Sequence, residues 1–93
     1  MPAELQATEE AAAALDALRV DASRPKLRGL VESALARLED DPGQEVNRKI
    51  RFSVPFIWGI KVRGEEDWII LWETDPEDNL VVIVKYIGPA SFL

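Results

Sequence analysis

Three runs of sequence decide the fold: Phe56-Ile57-Trp58-Gly59-Ile60-Lys61-Val62-Arg63, Trp68-Ile69-Ile70-Leu71-Trp72-Glu73 and Val81-Val82-Ile83-Val84-Lys85-Tyr86-Ile87-Gly88. All are rich in the β-branched and aromatic residues that suit a pleated, half-buried surface. Two short polar segments, Gly64-Glu65-Glu66-Asp67 and Asp75-Pro76-Glu77-Asp78-Asn79, separate them, so they read as an antiparallel meander. In the first run Trp58, Ile60 and Val62 alternate with Gly59, Lys61 and Arg63. The second, Trp68 to Trp72, is apolar on both faces, as a central strand should be. The third, Leu80 to Ile87, is mostly apolar on both faces and is expected to stop at Gly88-Pro89.

Working back toward the N-terminus, a fourth strand is expected from Arg48. Ile50, Phe52 and Val54 point one way and Lys49, Arg51 and Ser53 the other, until Pro55 ends or bulges it. Residues 43–47 read as a polar loop. Before it, Leu27, Leu30, Val31, Ala34, Leu35 and Leu38 follow the three–four spacing of one buried helical stripe. Ser23 is the expected cap of that helix, Pro25 is tolerated in its first turn, and Asp41-Pro42-Gly43 ends it. An earlier helix is expected after Thr8, an N-cap followed by Glu9 and Glu10, through Ala11–Ala14, Leu15 and Leu18. The short break at Asp21-Ala22-Ser23 favours an antiparallel helical hairpin. Residues 3–7 form a possible edge strand. The expected fold is therefore α+β: a helical hairpin on a twisted, four-stranded antiparallel meander, in one domain over residues 1–93.

Composition narrows the chemistry. The 93 residues contain no cysteine and no histidine, which excludes disulfides, thiolate chemistry, the usual zinc sites and every His-dependent triad. No cofactor or metal is implied. Catalysis, if any, would rest on carboxylates, Lys, Arg or Tyr86. Asp75, Glu77 and Asp78 lack the glycine and distal glutamate of a calcium loop and read as a hydrated turn. The net charge of −6 repels phosphate backbones on average. Acid is concentrated in residues 1–46, with five basic and ten acidic side chains, against six and seven in residues 47–93. No apolar run approaches a membrane span, and the first residues lack the basic and apolar regions of a signal peptide, so a cytoplasmic location is expected.

One cluster stands out against this acidic background. If the first two meander strands pair with their apolar faces aligned, Lys49, Arg51, Lys61 and Arg63 share the face away from the helices, with Lys85 able to join them. Such residues can simply be solvated and discourage edge pairing. Four cations on one face also repel one another unless a partner neutralises them.

The order of elements and several motifs resemble the RelE/ParE superfamily of small bacterial toxins. Glu9-Glu10-Ala11 resembles the family's acidic start after its first strand. Leu38-Glu39-Asp40-Asp41-Pro42 resembles its helix ending in Asp-Pro. Trp58-Gly59-Ile60-Lys61-Val62 is similar to a strand that reads aromatic, Glu, aliphatic, Arg, aliphatic. Asp67-Trp68-Ile69-Ile70-Leu71-Trp72-Glu73 is similar to the next, aromatic, Arg, aliphatic, aliphatic, Tyr, Glu. The resemblance implies a type II toxin–antitoxin protein neutralised by a cognate antitoxin, with the ribosome or DNA gyrase as further partners.

RelE-like members cut mRNA on the ribosome, which requires activation of a ribose 2′-OH and cations around the phosphate. Here Ile69 stands where that family carries Arg, Pro89 where a second cation often falls, and Ser91-Phe92-Leu93 offers no Tyr. A nuclease would have to be assembled from Lys49, Arg51, Lys61, Lys85 and Tyr86. With the nuclease residues largely absent, binding fits better than cleavage, and Lys49, Arg51, Lys61 and Arg63 are the expected recognition patch. The alternatives are a ribosome-dependent endoribonuclease and a non-toxic member serving as a small scaffold.

Overall fold

A computed structural model describes residues 3–43, 45–48, 50–53, 56–78 and 80–90. Its elements run β1 (Glu4–Ala7), α1 (Glu9–Val20), α2 (Pro25–Asp40), a 3-10 turn (Glu45–Arg48), β2 (Ile50–Ser53), β3 (Phe56–Arg63), β4 (Asp67–Thr74) and β5 (Val81–Pro89). The α+β class stands as expected. The sheet has five strands in the order β1-β5-β4-β3-β2. The four-stranded meander is joined by β1, which lies parallel to β5, Glu4 opposite Val81 and Ala7 opposite Val84. No helix among the described residues is long and apolar enough to cross a membrane.

Local chemistry explains the helix starts. Thr8 caps α1, its hydroxyl oxygen accepting the Ala11 N–H at 3.3 Å, with Glu9 and Glu10 placed favourably toward the helix dipole. The same hydroxyl donates to the Lys85 carbonyl at 3.3 Å, tying the helix start to β5. Ser23, the expected cap of α2, does not cap it. The carboxylate of Asp21 accepts both the backbone N–H and the hydroxyl of Ser23, at 2.9 and 2.5 Å, a local turn that competes with capping. These two bonds, the hydroxyl's foremost, hold the Asp21 carboxyl below its usual range. The N-cap is Arg24, which supplies no side-chain bond. Glu65, from the β3–β4 hairpin, takes that role by accepting the N–H groups of Lys26 at 2.9 Å and Leu27 at 2.6 Å.

The core lies between the hairpin of helices and one face of the sheet. Ala11 and Leu18 of α1 and Leu27, Val31, Ala34, Leu35 and Leu38 of α2 pack on Ile60, Val62, Trp68, Ile70, Trp72, Val82, Val84 and Ile87. Leu30 departs from the expected stripe and is 39% exposed. It lines a groove with Arg37, Lys61, Val62 and Arg63 instead of entering the core. The 3-10 turn replaces the polar loop expected at 43–47 and buries Asn47 completely. Its side-chain amide donates to the Asp41 carbonyl at 2.9 Å and to the Arg37 carbonyl at 3.4 Å, satisfying the end of α2. Trp72 in turn donates its indole N–H to the Asn47 carbonyl at 3.0 Å. β5 continues through Pro89, which pairs with Trp68. A proline is tolerated there because the last strand residue can forgo its N–H.

A candidate partner-binding groove along the β3 edge

β2 and β3 pair with Ser53 opposite Phe56, so that Arg51 faces Trp58 and Ile50 faces Gly59. Directly opposed residues share a face, and a shift of one residue would swap every side chain to the other. The expectation was that Arg51 would share a face with Lys61 and Arg63. The observed register puts Arg51 with Trp58, toward the helices, and Ile50 with Gly59 on the opposite face. Arg51 therefore does not join Lys61 and Arg63. Its guanidinium lies 5.3 Å from the Trp58 ring centroid, and that of Arg48 lies 5.2 Å from Trp58 and 5.8 Å from Trp72. The two indoles stack at 6.3 Å. Each such exposed cation–π contact contributes on the order of 0.5–1 kcal/mol.

The remaining candidates divide as follows. Lys49 lies outside the described residues. Lys85 is held by Glu73 at 3.5 Å. Tyr86 donates its hydroxyl to the Pro89 carbonyl at 3.0 Å, and its ring lies against Gly88, where an added Cβ would sit 2.8 Å from the ring carbon bearing the hydroxyl. The carboxylates of Asp75 and Asp78 accept the N–H groups of Glu77 and Leu80, their own turn. Lys61 and Arg63 stay together, two residues apart and both exposed.

A third cation joins those two from α2. A groove of about 340 Å³ runs between α2 and β3, lined by Leu30, Arg37, Lys61, Val62 and Arg63. Leu30 and Arg37 are seven residues apart, two turns along one helix face, a spacing that could have flagged them in the sequence had Leu30 not been assigned to the core. Among the described residues the ion pairs are those of Arg19 with Asp16 and Glu32, Arg24 with Asp21 and Glu66, and Lys85 with Glu73. Arg37, Lys61 and Arg63 belong to none of them. Arg63 stands opposite Asp67 in the ladder, but the two do not form an ion pair.

β3 has eight residues, and β2 pairs only with Phe56–Gly59. The 3-10 turn Glu45–Arg48, which leads into β2, packs against β3. The groove thus combines three cations without an ion-pair partner among the described residues and an exposed leucine. Comparison with protein-family models, curated proteins and solved structures finds no match for the chain.

Proposed function

We propose that the protein is an interaction module of the RelE/ParE-like toxin type, working in the cytoplasm by binding other proteins and neutralised by a cognate antitoxin. The β3–α2 groove is its partner-binding face. The observation that carries this reading is the convergence of Arg37, Lys61 and Arg63, none ion-paired among the described residues, on one groove of a chain whose net charge is −6. Cations placed together on an acidic protein cost mutual repulsion, which an acidic partner relieves. The recognition patch is thus Arg37, Lys61 and Arg63, with Leu30 as its apolar contact. Arg51 faces the other way.

The nuclease alternative loses support from the same geometry. Arg51 and Lys61 fall on opposite faces of the sheet, and the Lys85 ammonium is already held by Glu73. Among the described residues, Arg51, Lys61 and Lys85 thus do not converge on one phosphate, as transition-state stabilisation would require.

Induced expression in a bacterial host tests the reading. Growth should stop while total and messenger RNA stay intact, and co-expression of the protein from the neighbouring reading frame should restore growth. RNA cleavage on induction would favour the endoribonuclease. Unaffected growth, with no binding to that neighbour, would favour the scaffold.

A further inference from the structure

We infer that Glu65 is a positioning residue for partner recognition: by holding the β3–β4 hairpin on the first turn of α2, it sets the spacing of the two groove walls and so governs affinity without lining the groove itself. The inference rests on the partner-binding reading of the groove and adds how the shape of that site is controlled.

The two walls come from separate elements. Leu30 and Arg37 belong to α2, and Lys61, Val62 and Arg63 to β3. Apolar packing joins the elements from beneath, with Leu27 and Val31 of α2 in one core cluster with Ile60 and Val62 of β3. Such packing is non-directional and does not by itself fix where the charged side chains stand. Polar contacts at the two ends of α2 do. At the far end the amide of the buried Asn47 donates to the Asp41 carbonyl at 2.9 Å and to the Arg37 carbonyl at 3.4 Å. At the near end the Glu65 carboxylate accepts the N–H groups of Lys26 and Leu27, at 2.9 and 2.6 Å.

The near end adjoins the groove. Arg63 is followed directly by Gly64, where an added Cβ would lie 2.6 Å from Leu27 Cα. Leu30 stands about one turn beyond Leu27 on α2. Hairpin and helix thus touch backbone to backbone at the point where both walls begin. Arg24 adds a second link, pairing with Glu66 at 2.9 Å. Unlike Asn47, Glu65 is exposed. Its end of the helix is therefore the one that can open without unpacking the core. A groove that is closed into shape only part of the time binds in proportion to that fraction.

Charge alone predicts the opposite outcome. Glu65 is an acid close to a cationic groove, so removing its charge should favour an acidic partner. Loss of positioning should weaken binding. The sign of the change separates the two.

The test compares variants of the full chain, with a synthetic peptide rich in glutamate and leucine as the probe, at a temperature where each variant is fully folded by circular dichroism. E65Q removes the tether together with a negative charge. G64A disturbs the same contact with no change of charge. D67N removes the charge of the exposed Asp67, opposite Arg63, and leaves the tether in place. V84A destabilises the core from β5, through a residue that is 1% exposed and outside the groove. E65Q and G64A should bind roughly threefold or more weakly, as for a groove competent about a third of the time. D67N should bind as tightly as wild type or more so, and V84A as wild type. In the free protein, NMR of E65Q should show faster exchange of the Lys26 and Leu27 amides and shifts at Leu30, Lys61 and Arg63, with β1 unchanged. Wild-type or tighter binding by E65Q or G64A, an equal loss in D67N or V84A, or unmoved groove signals would overturn the inference. The partner reading survives each of those results, because the wild type still binds. If the wild type binds neither this peptide nor the protein from the neighbouring reading frame, both fail.

Discussion

The Glu65 carboxylate accepts the backbone N–H of Leu27 at 2.6 Å, across 38 residues of sequence. The tip of the β3–β4 hairpin thereby caps a helix that has no cap of its own. Burial pushes the Glu65 carboxyl up, but bonds from Leu27 and Lys26 outweigh it and hold the carboxyl below its ordinary value. Arg24 reinforces the junction: it pairs with Glu66 at 2.9 Å and lies 5.8 Å from the Trp68 ring. The Trp68 indole N–H also donates to Glu66, at 2.8 Å. The hairpin that begins at the end of the groove is thus fixed to the helix that walls it.

Glu65→Gln should lower the thermal midpoint at neutral pH. Because the folded-state value is depressed, the stabilisation is present above the unfolded value and is lost as pH falls through the folded one. The difference between wild type and E65Q should therefore shrink in acid. Thermal unfolding across that range checks the sign. A gap that widened in acid would contradict the capping role.

Gly64 sits against the same helix so closely that an added Cβ would lie 2.6 Å from Leu27 Cα and 2.8 Å from its nitrogen. Backbone atoms cannot move aside as a flexible side chain can. Gly64→Ala should cost about 1–3 kcal/mol in urea unfolding, the range of overpacked sites. Gly29→Ala, where nothing lies within 4 Å, should be neutral or stabilising, since alanine is the better helix former.

Asn47 joins the end of α2 to Trp72. Asn47→Ala removes both amide bonds and should cost on the order of 1–3 kcal/mol. Asn47→Asp should cost more at pH 7, because a buried carboxylate would face the Asp41 and Arg37 carbonyls instead of donating to them. Its deficit should shrink as pH falls and the carboxyl protonates. Chemical denaturation of both variants at two pH values separates the lost bonds from the buried charge.

Much of this architecture was legible in the residues. The switch from three–four to alternating periodicity marks helices and strands, Thr8 and Pro25 mark helix starts, and Trp58, Trp68 and Trp72 belong to the core side as their spacing implies. What escaped was set by distance rather than by local pattern. Glu65 displaced Ser23 as the cap because the hairpin reaches the helix only in three dimensions. The face of Arg51 depends on the pairing of β2 with β3, and composition cannot distinguish that register from the one a residue away. Leu30 fits the helical stripe in sequence but lines the groove instead of the core. Of the expected patch, Lys61 and Arg63 remained together, and their third companion, Arg37, came from a helix.

Lys61, Arg63 and Arg37 are exposed, so neutralising them should leave the fold intact. Each single Gln substitution should change unfolding free energy by no more than about 0.5 kcal/mol. Partner association should nonetheless slow, and the wild-type association rate should fall as salt is raised from low ionic strength. Stopped-flow mixing at several salt concentrations checks this. Rates independent of salt would place recognition away from the cations.

The most direct measurement is the affinity of the purified protein for the product of its neighbouring reading frame, by titration calorimetry, for wild type and for R37Q/K61Q/R63Q. The account predicts a complex with the wild type, weakened by roughly tenfold or more in the variant while its thermal midpoint is unchanged. Equal affinity for the two proteins, or no complex with either, would contradict it.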